Sequence, residues 1–147
     1  KTLNFDGVGS QTLPRPWADA VIEDTLFITI GRLYMTADMV KFTEVGIPND
    51  AWVYDIYTHN GVMYLLGASS SVADTTTGKM KYHVTVYSAT TANPDDLKEE
   101  YAFDSEIQPI ALAVGDNGYF ISFGNWHSTA EKQNGKVIYY PKSNTKE

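Results

Sequence analysis

The chain has 147 residues, 43% of them hydrophobic, enough for one domain of ordinary size with a real core and too apolar for a disordered chain. Eighteen acidic residues against eleven basic ones give a net charge of −7, a sign that repels phosphate backbones and anionic membranes and favours a neutral or cationic partner. Cysteine is absent, which removes disulfides, thiol nucleophiles and thiolate metal sites and leaves the redox compartment open.

Ten Tyr, six Phe and three Trp bias the chain towards pleated, half-buried surfaces, hence strands. The longest apolar runs, 26–30 and 110–114, are far too short to cross a bilayer. A water-soluble protein is the expectation, and no membrane insertion. The start at Lys1, with no charged-then-apolar leader, fits a processed product or a piece of a longer chain.

In chain order, residues 2–6 form a strand-like segment with nothing before it. A first unit then runs from Trp17 through Asp19 and the pair Asp24-Thr25 to Gly31, and a second runs from Val53 through Asp55 and Asn60-Gly61 to Gly67. They align without gaps, since Asp19 to Asp55 and Gly31 to Gly67 are each 36 residues apart. A third copy runs from Ile110 through Leu112 and Asn117-Gly118 to Gly124. Each copy reads as an apolar strand, a two-residue turn of the Asn-Gly kind and a second strand ending at Gly. Third strands are expected at 32–36, 82–88 and 137–140, and fourth strands at 41–45 and 98–103. Residues 69–81 read as a polar insertion, of which 69–78 is a low-complexity, mobile loop with 127–135 as its counterpart. Residues 93–100 are the one helix-like stretch, with Asn and Pro at its start, and the charges at 98–100 read as a solvated face.

Four antiparallel strands per unit predict an all-β chain of β-propeller-type blades, three four-stranded units at about 17–49, 52–106 and 107–147, all in one module over 1–147. Residues 1–6 are the expected closing outer strand of the last blade. A β-sandwich is the alternative fold. Closed propellers typically hold four to eight blades, so three need company, either from a second copy or from a longer chain.

Residues 31–46, with Thr36, Asp38, Met39 and Phe42, resemble a blade motif of the five-bladed glycoside hydrolases (family 43 and its relatives), and are similar in spirit to the Asp-box turns of sialidase-like propellers. Residues 51–66 resemble the same hydrolases around Asp55 and Asn60-Gly61. The resemblance implies that Asp19 stands for a general base and Asp55 for an acidic residue that tunes the catalytic acid. The family's acid lies two residues before a Pro; here Glu106 is three before Pro109, and a one-residue slip turns a strand side chain to the opposite face.

Asp19 and Asp55 sit in otherwise apolar strands, where a carboxylate needs partners. They are either site residues or acceptors of backbone hydrogen bonds that fix a blade start. Trp17 and Trp52 precede the inner strands, where packing between blades is the first expectation, and Trp126, among its polar neighbours Asn125 and His127, is the better candidate for a ligand contact. Indole rings suit sugar faces, because they combine flat apolar area with one N–H donor. Asp38 is expected to cap a turn through its side chain while Phe42 packs between sheets. His59, His83 and His127 are too scattered for a metal, and no cofactor is indicated. The preferred function is glycan binding or receptor recognition at an extracellular or virion surface, in a bacterial surface protein or phage tail, with Trp126, Asn125, His127, Asp19, Asp55, Trp17 and Trp52 as contacts. A glycoside hydrolase using Asp19, Asp55 and Glu106 and a purely structural blade set are the rivals.

Overall fold

The computed structural model describes residues 17–90, 96–124 and 135–142, and within them the chain is all-β, with eleven strands and no α-helix. Strands β1 (Ala18–Ile22), β2 (Thr25–Thr29), β3 (Leu33–Thr36) and β4 (Thr43–Val45) form one antiparallel sheet in sequence order. A second contains β5 (Trp52–His59), β6 (Val62–Asp74), β7 (Lys79–Ala89) and β8 (Lys98–Ser105). The third contains β9 (Pro109–Val114), β10 (Gly118–Phe123) and β11 (Lys136–Pro141). Every sheet is a simple meander. The third holds three strands rather than four among the described residues, and segment 1–6 lies outside them. No helix in the described part is long and apolar enough to cross a membrane.

Period-two alternation makes these strands two-faced. In β10, Tyr119, Ile121 and Phe123 are buried while Phe120 between them is 47% exposed. The second sheet lies in the middle and is covered on both faces. Ile56, Met63, Leu65 and Tyr87 meet Phe27, Leu33 and Val45 of the first sheet. Leu66, Ala68, Val84 and Val86 meet Leu112, Val114, Tyr119, Ile121 and Phe123 of the third. Double coverage accounts for the unbroken apolar run at 62–68, since both sets of alternate side chains are removed from water. Between the second and third sheets the aromatic rings pack in a chain, with Phe103 on Tyr140 at 4.6 Å and Tyr101 on Tyr140 at 5.3 Å.

Two of the hairpin turns lie one residue earlier than the gapless alignment implies. Ile22 pairs with Thr25, so the first turn is Glu23-Asp24, with φ of 48° and 62°. These match the φ of 50° and 74° at Asn60 and Gly61, the left-handed pair that suits the twist of a two-residue hairpin. In the third unit the Gly115 N–H donates to the Gly118 carbonyl at 2.9 Å, which makes Asp116-Asn117 the turn and places Gly118 in β10. Gly118 answers to packing: a Cβ there would lie 2.4 Å from the Tyr139 ring and 2.6 Å from the Tyr140 carbonyl oxygen. Counted back from the turns, Asp19 is the equivalent of Ile56 and Leu112, whereas Asp55 is the equivalent of Ala18 and Ala111. The two aspartates therefore occupy different positions of the repeat.

Residues 69–81 also differ from expectation. They extend the β6–β7 ladder, with Ser69 opposite His83, Ser70 opposite Tyr82 and Val72 opposite Met80, into a hairpin arm. The Asp74 carboxylate closes its tip by accepting the Thr76 N–H at 2.8 Å. The polar composition marks exposure on both faces of the arm rather than a loop. Residues 98–100, read both as the end of the helix-like stretch and as the start of a fourth strand at 98–103, belong to β8, as the strand expectation has it, and Glu100 accepts the Ser88 hydroxyl at 2.6 Å. The turn after β3 follows the sequence reading: Asp38 Oδ1 accepts the N–H groups of Val40 at 2.8 Å and Lys41 at 2.9 Å.

Candidate functional site

In a stack of meanders the starts of odd strands and the ends of even strands within a sheet share one end. At that end the first and second sheets are joined through main chain, the Val53 N–H donating to the Gly31 carbonyl at 2.9 Å. The Thr29 hydroxyl, fully buried, donates to the Val53 carbonyl at 2.6 Å. These bonds hold Trp17, just before β1, beside Trp52, the first residue of β5.

The two indoles lie 5.9 Å apart between ring centroids, tilted by 42°. Gly31 makes that approach possible, since a Cβ on it would lie 3.0 Å from the Trp52 ring and 3.5 Å from the Trp17 ring, and its φ of 107° suits glycine. Tyr54 completes the cluster. It is the extra residue of a β-bulge between Val53 and Asp55, and bulges re-aim side chains. Its ring stacks on Trp17 at 5.5 Å and 26°. Burial, with help from Tyr82, pushes the Tyr54 hydroxyl up to about 12, so it stays a neutral donor at physiological pH. Trp17 and Trp52 remain 39% and 48% exposed, a large indole surface left open to water.

Charged groups stand next to this platform along the chain. Arg32 follows Gly31, Asp50 lies two residues before Trp52, and the guanidinium grips both carboxylate oxygens of Asp50. The ion pair holds the Asp50 carboxyl below its usual range and raises the guanidinium. The exposed rings offer apolar area, and a guanidinium–carboxylate pair lies within two residues of them along the chain. A ligand with one apolar face and several hydroxyls suits that chemistry.

The sequence candidates do not converge. Asp19 is exposed and points away from the second sheet, because its neighbours Ala18 and Ala20 pack towards it. Asp55 faces the third sheet: Oδ2 accepts the Leu112 N–H at 2.7 Å and Oδ1 accepts the Ile56 N–H at 2.8 Å. Burial raises the Asp55 carboxyl, and the two backbone donors offset part of that rise. Glu106 is on the surface, its Oε1 paired with Lys79 Nζ at 2.8 Å. Trp126, Asn125 and His127 lie outside the described residues. Among the described residues no group of three acidic or histidine side chains could hold a metal.

His59 and His83 are both tied to carboxylates. His59 Nε2 lies 2.8 Å from Asp116 Oδ1, joining the turns of the second and third sheets, and His83 Nδ1 lies 2.9 Å from Asp104 Oδ1. Sequence reasoning passed over Tyr54, Arg32 and Asp50. Tyr54 was visible as an aromatic two residues after Trp52, but only the bulge brings it to Trp17. No family model matches the sequence, and the search of curated proteins finds no match to it.

Proposed function

We propose that the protein is a recognition module of propeller-type blades and that it binds a surface glycan on the Trp17–Trp52–Tyr54 platform. The carrying observation is two adjoining indoles that stay 39% and 48% exposed where the first and second sheets meet. Leaving that much aromatic surface wet is unfavourable unless a ligand covers it. Three stacked meanders joined in series support the blade reading, and an extracellular setting on a bacterial surface or phage tail goes with it. A ring needs more blades than three, so a native mass of two chains is the expected observation and a lone monomer argues against that assembly.

Asp55 spends both oxygens on backbone donors, and Asp19 opens into a different space, which favours binding over hydrolysis. The test is a glycan array probed with wild type and Trp52→Ala. Binding lost in the variant, with the far-ultraviolet spectrum of strands retained, supports the reading, and a silent array with wild type removes it. Aryl-glycoside hydrolysis by wild type that disappears in Asp19→Asn would instead establish the hydrolase reading.

A further inference from the structure

The three sheets repeat one another closely enough to compare position by position. The third residue pair from each first hairpin turn is Ala20 with Phe27, Tyr57 with Tyr64, and Ala113 with Phe120. Phe27 is fully buried against the second sheet, and the Tyr64 ring meets Tyr119 of the third at 6.2 Å. Phe120, by contrast, is 47% exposed. One strand further on, Leu33, Val86 and Val137 are likewise equivalent, opposite Thr29, Leu66 and Ser122. Leu33 and Val86 are fully buried, whereas Val137 is 68% exposed. In the first two sheets these positions carry the next sheet, and in the third they face water.

The residues on that free face are of the kind that a sheet covers. Ala111, Ala113, Phe120, Ser122, Val137 and Tyr139 share it, and none of them is charged, in a chain of net charge −7. The aromatic pair is already held in place, its rings 4.9 Å apart and the Tyr139 hydroxyl donating to the Asn117 carbonyl at 2.9 Å, so little ordering is lost on binding. Within the chain such a face always meets the same kind of surface: Met63, Leu65 and Tyr87 cover the first sheet, and Tyr119, Ile121 and Ile138 cover the second. The outer face of the first sheet repeats that surface, with Val21, Leu26 and Tyr34 standing where Val114, Tyr119 and Ile138 stand in the third. Val21 is 65% exposed.

We infer that the free face of the third sheet is an interface and that it packs on the outer face of the first sheet in a second copy of this chain. The choice of partner rests on the blade reading, and sugar binding plays no part in it. Three six-residue strands outline only about 300 Å², against about 800 Å² per partner in a stable complex. A pair in which each copy gives its third sheet and receives on its first makes the contact twice and closes on itself. The receiving strands carry two charges, Asp19 and Glu44, on the edge strands β1 and β4, where a carboxylate keeps its water while the centre is covered. Asp19 stands where the second and third sheets have the buried Ile56 and Leu112, which makes it the misfit of the interface.

The test is sedimentation equilibrium of the chain as wild type, Phe120→Asp, Val137→Asp and Asp19→Ile, with thermal unfolding of each. Wild type should pair, either aspartate on the free face should weaken pairing about tenfold or more while the dilute chain still unfolds cooperatively, and Asp19→Ile should tighten it about fivefold. Because the chain has no cysteine, Phe120→Cys and Val21→Cys chains can be mixed and joined by a short bismaleimide, and the expected product contains one of each. A wild type that stays monomeric up to its highest soluble concentration overturns the inference together with the two-chain assembly. Pairing unchanged in both aspartate variants overturns this face and keeps the assembly. Phe120→Cys chains joined to one another instead, or pairing weakened by Asp19→Ile, overturn the first sheet as the partner.

Discussion

The Asp55 carboxylate accepts the Leu112 N–H at 2.7 Å and so ties the first strand of the second sheet to that of the third. Asp55→Ala leaves that donor without its partner, and a hydrogen bond to a charged group is worth about 2 kcal/mol. Urea unfolding should show a loss of about that size. The pH dependence has a defined sign: an acid whose folded-state pKa is raised contributes stability that is full below its unfolded value, near 3.8, and is lost as pH rises through the folded value. The stability of wild type relative to Asp55→Asn should therefore increase as pH falls through that window, and a flat difference would show that the carboxylate is not buried in solution.

Two glycines should respond very differently to alanine. Gly118→Ala drives a Cβ to 2.4 Å from the Tyr139 ring with backbone at 2.6 Å behind it, so it should lower stability by about 3 kcal/mol, an overpacking cost at its upper end. Gly61→Ala meets no neighbour within 4 Å and has only its φ of 74° against it, a cost of about 1 kcal/mol. Thermal unfolding of the pair checks the order. Equal losses would place Gly118 in the turn after all.

The neighbours Phe120 and Ile121 test the assignment of faces. Ile121 is fully buried against the second sheet, and Ile121→Ala should cost about 3 kcal/mol. Phe120, 47% exposed on the opposite face beside Tyr139, should cost about 1 kcal/mol or less when cut to alanine in the monomer. The reverse order would mean that β10 is turned over.

The Asp116 carboxyl is held below its usual value of 3.8, first by the hydrogen bond to His59 and then by that ring's charge and Asn60. A depressed acid contributes stability above its unfolded pKa and loses it as pH falls through the folded value, so the contact between the two turns should persist below pH 3.8. Carboxyl-carbon titration by NMR should give a midpoint below 3.8 in wild type and a rise towards the ordinary value in His59→Ala, with the part due to Asn60 remaining. An unchanged midpoint in the variant would remove His59 as the cause.

Much of this fold is written locally. Alternating apolar residues and Asn-Gly-type pairs mark where strands run and turn, because the pleat has a period of two and the tight hairpin needs left-handed residues. The repeated units, the four-strand order of the first two and the Asp38 turn were all legible for that reason. The register was not. Glu23-Asp24 and Asp116-Asn117 form the turns because of how the facing strands pack, with the Tyr139 ring claiming the space over Gly118, and no local signal carries a contact made 21 residues away. The same holds for the site. Trp17 and Trp52 are visible as indoles before the first strands of their units, but their contact depends on the Gly31–Val53 bridge, and the stacking of Tyr54 on Trp17 depends on a bulge. Composition and period determined an all-β chain of three repeated meanders. Packing of one sheet on the next decided which aspartate is half-buried, which glycine is needed and which aromatic rings stay exposed, because those outcomes depend on contacts between units that local sequence does not encode.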